Sequence, residues 1–183
     1  MSRIGNQPVA LPSGVSVKVT PGQYVEVSGP RGALTERISQ RLDVTVVDGV
    51  LTIARRGNSQ DLKALHGLAR ALIQNMVTGV TQGFTRILEV HGDFYRASMK
   101  GSNLVLQVGK SHPVEYASTK EIKLDVDQSG RVITVEGICK HDVGHLASLI
   151  RGERPPTPYG GAGIRYRDEW VRTKAGKAGR AAI

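Results

Sequence analysis

At 183 residues the chain has room for one domain or two small ones. Its 25 Lys and Arg against 16 Asp and Glu give a formal net charge of +9, which favours an anionic partner over an acidic small substrate. Cys139 stands alone, which excludes a disulfide framework and predicts a reducing cytoplasm. The opening MSRIGNQPVALPSG lacks a signal-peptide core, and no run of about 18 apolar residues follows, so neither secretion nor a membrane partner is expected.

The first elements have a period of two. Val15, Val17 and Val19 alternate with polar residues, Tyr24–Val27 resumes after Pro21-Gly22, and Val44–Val47 and Val50–Ile53 flank Asp48-Gly49. Asp-Gly between alternating runs predicts a hairpin, because the turn needs positive φ. The period then becomes helical. Leu62, Leu65, Leu68, Ala69, Leu72, Ile73, Met76, Val77 and Val80 form one apolar stripe, capped by Asn58 or Ser59 and ended by Gly79 and Gly83.

The second half repeats this order. Strands are predicted at Arg86–Val90, Leu104–Val108, Ile122–Val126 and Val132–Glu136, the last two around Ser129-Gly130. A shorter helix follows, N-capped by Asp142, with Val143, Leu146, Ala147 and Ile150 on one side; it reaches about Arg151, and Pro155-Pro156 forbids continuation. Gly49 and Gly130 lie 81 residues apart, as do Val27 and Val108, which points to duplication. The expected fold class is α+β: two tandem similar domains, residues 1–82 and 83–183, each an antiparallel sheet with one covering helix. A basic C-terminal extension, about 151–183, completes the second.

That extension concentrates the charge. It holds eight Lys and Arg against three acids, with three prolines, six glycines and no long apolar run, so little self-burial is expected. Arg151 and Arg154 are expected to offer forked guanidinium groups to phosphate oxygens. Tyr159, Gly160, Gly161 and Gly163 are expected to form a tight loop against a sugar–phosphate surface. Arg165, Arg167, Arg172, Lys174, Lys177 and Arg180 would extend the contact as an arm that orders on RNA. Tyr166 or Trp170 is available to stack on an unpaired base or to pack against the second sheet. Arg31, Arg55 and Arg56 form a weaker patch, better read as surface.

Other constellations do not assemble an active site. His141 and His145 have the i, i+4 spacing of a zinc pair, but Asp142 replaces the glutamate such a site needs and no third ligand is evident. Cys139 reads as a half-buried thiol. Gly160-Gly161-Ala162-Gly163 lacks the Gly-Lys-Ser/Thr ending of a nucleotide loop. No catalytic residue, metal or cofactor is predicted.

The strings MSRIGNQPVALPSGV, VSGPRGALT, GKSHPV and GHLASLIRGERPPTPYGGAGIRYRDEWVRTKAGKAGR, spread over the whole chain, closely resemble the bacterial form of ribosomal protein six of the large subunit. The resemblance implies two similarly folded domains. It further implies a structural constituent that binds large-subunit (23S) ribosomal RNA mainly through its second domain and tail, near the factor-binding region and stalk base. Neighbouring large-subunit proteins, and translation factors nearby, are the further partners implied. Gly160 and Ala162 stand where the family usually has lysine, His145 where it commonly has glutamine, and Asn6 where it has lysine. A free-standing RNA-binding module or RNA chaperone is the alternative.

Overall fold

The computed structural model describes residues 3–47, 49–119 and 121–177. The chain divides into two units, one of residues up to Phe84 with Ile138–Lys140, the other of Thr85–Gly137 and residues from His141 onward. The first unit contains β1 (Val9–Ala10), β2 (Ser16–Thr20), β3 (Tyr24–Gly29), β4 (Gly32–Arg37), β5 (Leu42–Val47), β6 (Val50–Arg55) and α1 (Gln60–Thr81). Then come β7 (Phe84–His91), β8 (Arg96–Lys100), β9 (Asn103–Gln107), β10 (Val114–Ala117), β11 (Ile122–Val126), β12 (Val132–Gly137), α2 (Lys140–Glu153) and β13 (Gly163–Tyr166).

The duplication is visible in the sheets. Among the described residues the first unit pairs β1-β6-β5 and β2-β3-β4, and the second pairs β7-β12-β11 and β8-β9-β10. Each unit therefore divides its strands between two antiparallel sheets, in one repeated order. Gly49 and Gly130, at the two corresponding hairpins, both have positive φ, +74° and +66°, the left-handed conformation glycine adopts without steric cost. To the second copy the chain adds β13, which pairs with the free edge of β7 in the register Gly163↔His91 to Tyr166↔Leu88.

The first core follows from alternation. Val25 and Val27 on β3 and Leu51 and Ile53 on β6 point inward, and α1 closes over them with Ala69, Ile73, Met76, Val77 and Val80. Ser59 caps α1 by accepting the Leu62 N–H at 3.4 Å. His66, buried on the same face, donates from Nε2 to the Ile53 carbonyl at 2.8 Å, which satisfies one nitrogen of a polar ring inside the core. The second core gathers Leu88, Leu104, Leu106, Ile133, Val135, Val143, Ala147 and Ile150, all buried.

Several expectations are corrected. Gly79 does not end α1 but lies inside it, where a Cβ would collide with the Ile138 carbonyl oxygen; Gln82 caps the helix and Gly83, φ +78°, turns the chain. Leu68, placed on the apolar stripe, is 54% exposed because the buried arc centres on 62, 66, 69, 73, 76 and 80. Asp142 is not the residue before α2 but sits in its first turn, after its start at Lys140, where it pairs with His141. The period predicts none of the short strands β1, β4, β8, β10 and β13: the first four bury at most one residue fully, so their hydrophobic signal is faint.

Candidate nucleic-acid interface

The C-terminal extension is more anchored than its composition predicts. Arg154 carbonyl accepts the Ile164 N–H at 2.7 Å, and Arg167 N–H reaches the Ile87 carbonyl at 3.1 Å. Ile164 is completely buried, so the segment expected to bury little supplies a strand and a core side chain. Gly163 belongs to this strand and not to an open loop. Its φ is +147°, and a Cβ there would lie 2.6 Å from Pro156 Cα, so only glycine lets the strand pass the two prolines.

Before β13 the loop closes on itself. Thr157 N–H donates to the Ala162 carbonyl and Gly161 N–H to the Thr157 carbonyl, both at 3.0 Å. Gly161 takes φ +67°, and Gly160 is exposed beside Tyr159, which is 67% exposed. After β13 the chain returns over this loop, where Lys174 N–H donates to the Pro158 carbonyl at 2.8 Å. Tyr159, Gly160 and Lys174 are thereby brought together.

The cations separate into two groups. Arg151, half-buried on α2, grips Glu169 with Nε at 2.7 Å and with Nη2 on the other oxygen, and its guanidinium covers the Tyr166 ring at 5.9 Å. Glu169 also accepts the Tyr166 N–H at 3.1 Å. The Arg151 hydrogen bonds hold the Glu169 carboxyl below its ordinary range, against the opposing effect of burial. Arg165 and Arg167 face Glu89 at 3.8 and 3.4 Å, and Glu89, also bonded by His91 at 3.1 Å, is likewise lowered, His91 contributing most. Arg154 lies over Tyr95 at 5.4 Å with its Nε buried and lacking an acceptor. Arg151 thus faces inward, toward a carboxylate, and not toward open solvent as its type and position imply.

Arg172, Lys174 and Lys177 form the outer group. All three are exposed and make no ion pair with a described residue. Arg180 lies outside the described residues. Trp170 is 82% exposed, whereas Tyr166 is half-buried beneath Arg151. In the first unit Arg56 is clamped by Asp43 at 2.6 and 2.8 Å and Arg55 bonds Asn58 at 2.8 Å.

Some participants escaped the reading of the sequence. Nothing in the sequence singles out Glu89 and Glu169, because their arginine partners come from elsewhere in the chain and no spacing marks them. Glu153, on the last turn of α2, accepts from Tyr116 at 2.5 Å and from Lys110, tying β10 and the loop after β9 to the start of the extension. His141 and His145 stack at 6.1 Å, and no group of three metal-ligating side chains occurs among the described residues. No described helix is long and apolar enough to cross a membrane.

The fold is a duplicated α+β scaffold with one added strand, beyond which the chain exposes a cationic strip, and this defines a non-catalytic class of structural protein. The chain belongs to the ribosomal protein L6 family, whose profile matches residues 11–83 and again 91–167. It is similar to the large ribosomal subunit protein uL6 of Roseiflexus sp. (strain RS-1), 47% identical over 186 residues that cover 99% of this chain and 100% of that protein. It is also similar to the uL6 of Clostridium botulinum (strain Langeland / NCTC 10281 / Type F), 46% identical over 180 residues covering 98% and 99%. The family is one of structural ribosomal proteins, not of enzymes. Its profile matches twice, as the duplicated sheets require.

Proposed function

We propose that this chain is a structural constituent of the large ribosomal subunit in the cytoplasm, holding large-subunit ribosomal RNA mainly through its second domain and tail. The observation that carries the reading is the strip Arg172, Lys174 and Lys177, exposed and without carboxylate partners among the described residues, on a segment anchored by β13. Cations that are already positioned and unpaired neutralise phosphates and release counterions with little loss of chain entropy. The exposed Tyr159-Gly160 turn lies beside Lys174 and lets a backbone approach closely. Arg167, 55% exposed, adds a fourth contact at the edge. A-form RNA hides its major-groove edges, so recognition follows shape and backbone more than base identity.

We also propose a site near the factor-binding region and stalk base, with neighbouring ribosomal proteins, and translation factors nearby, as further partners; the resemblance to the family supports it. The test is sedimentation with large subunits through a low-salt gradient. The parent chain travels with the subunit, and a chain with Arg172, Lys174 and Lys177 changed to alanine is depleted from it. Equal retention of the two overturns the reading.

A further inference from the structure

Phe94 is 92% exposed, the most exposed large apolar side chain of the described residues. It sits at the tip of the turn between β7 and β8, and that turn is firmly built. Tyr95 N–H donates to the Gly92 carbonyl at 3.4 Å, and Gly92, φ +128°, leaves room for the Tyr95 ring, which a Cβ would approach to 2.8 Å. Gly109 flanks the same ring, and the Arg154 guanidinium covers it. Tyr95 therefore pins the turn inward and leaves Phe94 outside.

The register Gly163↔His91 sets the beginning of β13 beside the end of β7. The Gly92–Tyr95 turn and the Thr157–Ala162 loop thus leave the sheet at one end, bringing Phe94 to the side of the molecule that carries Tyr159 and Gly160. We propose that Phe94 is a stacking platform for an unpaired RNA base, a contact separate from the phosphate-binding strip. This rests on the reading above that the second unit holds RNA.

The charge of the same unit selects the occupant. Its last segment carries eight Lys and Arg, which draws a polyanion. Asp93, exposed next to Phe94, repels a phosphate at the turn itself. A base face is apolar and uncharged, so it is the part of a polyanion that this turn accepts. Aromatic side chains stack on any base, because each has a π-face. The contact adds affinity without adding charge neutralisation.

Binding of the full chain to transcribed large-subunit ribosomal RNA, measured over a range of salt, tests this. Phe94→Ala weakens binding about tenfold with an unchanged salt slope and melting temperature, and Phe94→Trp restores the parent affinity. If Phe94→Ala binds like the parent while the Arg172, Lys174 and Lys177 alanine variant binds weakly, the stacking proposal fails alone; a protein docked on Phe94 gives that result. A flatter salt slope for Phe94→Ala also overturns it. If the parent binds no RNA, or neither variant loses affinity, the reading of the interface fails too.

Discussion

Arg151 on α2 and Glu169 just past β13 grip each other through two hydrogen bonds, so a cation in the most basic segment serves to hold that segment in place. The pair is half-buried, and Glu169 in turn accepts the Tyr166 N–H. Changing Arg151 to alanine leaves a partly buried carboxylate unpaired and lowers stability by about 1–2 kcal/mol. Denaturant unfolding measures it, and a loss indistinguishable from zero assigns Arg151 to the outer, RNA-facing group.

Ile164 is fully enclosed although it lies in the glycine- and arginine-rich tail. Ile164→Ala costs about 2–4 kcal/mol through lost burial and the residual cavity. A chain ending at Ile150 loses β13 and that side chain together, and its second unit is destabilised. A chain ending at Val171 keeps β13 and Glu169 and melts like the parent. Equal melting of all three chains contradicts the structural role of β13.

Gly160 and Gly163 are three residues apart and answer different constraints. At Gly163 a Cβ meets Pro155 and Pro156 at 2.6–2.7 Å, whereas at Gly160 its nearest neighbour is Thr157 Oγ1 at 4.0 Å. Gly163→Ala therefore destabilises by about 1–3 kcal/mol, while Gly160→Lys leaves the melting temperature unchanged. The new lysine strengthens RNA binding and steepens the logarithmic salt slope by about 0.7–0.9. An unaltered slope removes residue 160 from the phosphate surface.

The outer cations Arg172, Lys174 and Lys177, with Arg167 at the edge beside Glu89, set the salt dependence of the parent chain. Four phosphate contacts give a logarithmic slope of about −3 to −4, and all eight basic residues of the extension acting together give about −6 to −7. Filter binding across salt concentrations separates the two, and the steeper value means that Arg151, Arg154, Arg165 and Arg180 also reach phosphate.

Glu89, Glu153 and Glu169 all titrate below the ordinary glutamate value of 4.5, lowered chiefly by hydrogen bonds from His91, Lys110 and Arg151 respectively. A carboxyl with a depressed folded-state pKa contributes stability that is full above its unfolded value and is lost as pH falls through the folded one. The second unit is therefore destabilised by acid below about pH 4.5. Glu169→Gln flattens part of that decline, and an unchanged acid limb in this variant shows that the Arg151 pair does not govern it.

Much of the fold was legible where burial is one-sided. Val25 and Val27, Leu51 and Ile53, and the α1 residues from Leu62 to Val80 announce their faces by period alone. The paired glycines at 49 and 130 announced the repeat. Edge strands were not legible: β4, GALTER, and β8, RASMK, are largely exposed and carry few apolar residues, yet they form because a neighbour offers unpaired backbone groups. In β13, Ile164 is the only aliphatic residue among Gly163, Arg165 and Tyr166, too little for a periodic signal.

The amino-acid order alone determined the net positive charge, its concentration beyond Ile150, the duplicated succession of strands and helix, and the glycine turns, because each is a local or compositional property. Only the tertiary structure decided which cations remain available. Glu169 stands 18 residues from Arg151 and Glu89 stands 78 from Arg167, and these carboxylates reach their arginines only when β13 docks on β7. Ion pairing depends on distance in space, which falls steeply to a few ångströms on docking and leaves no trace in the spacing along the chain.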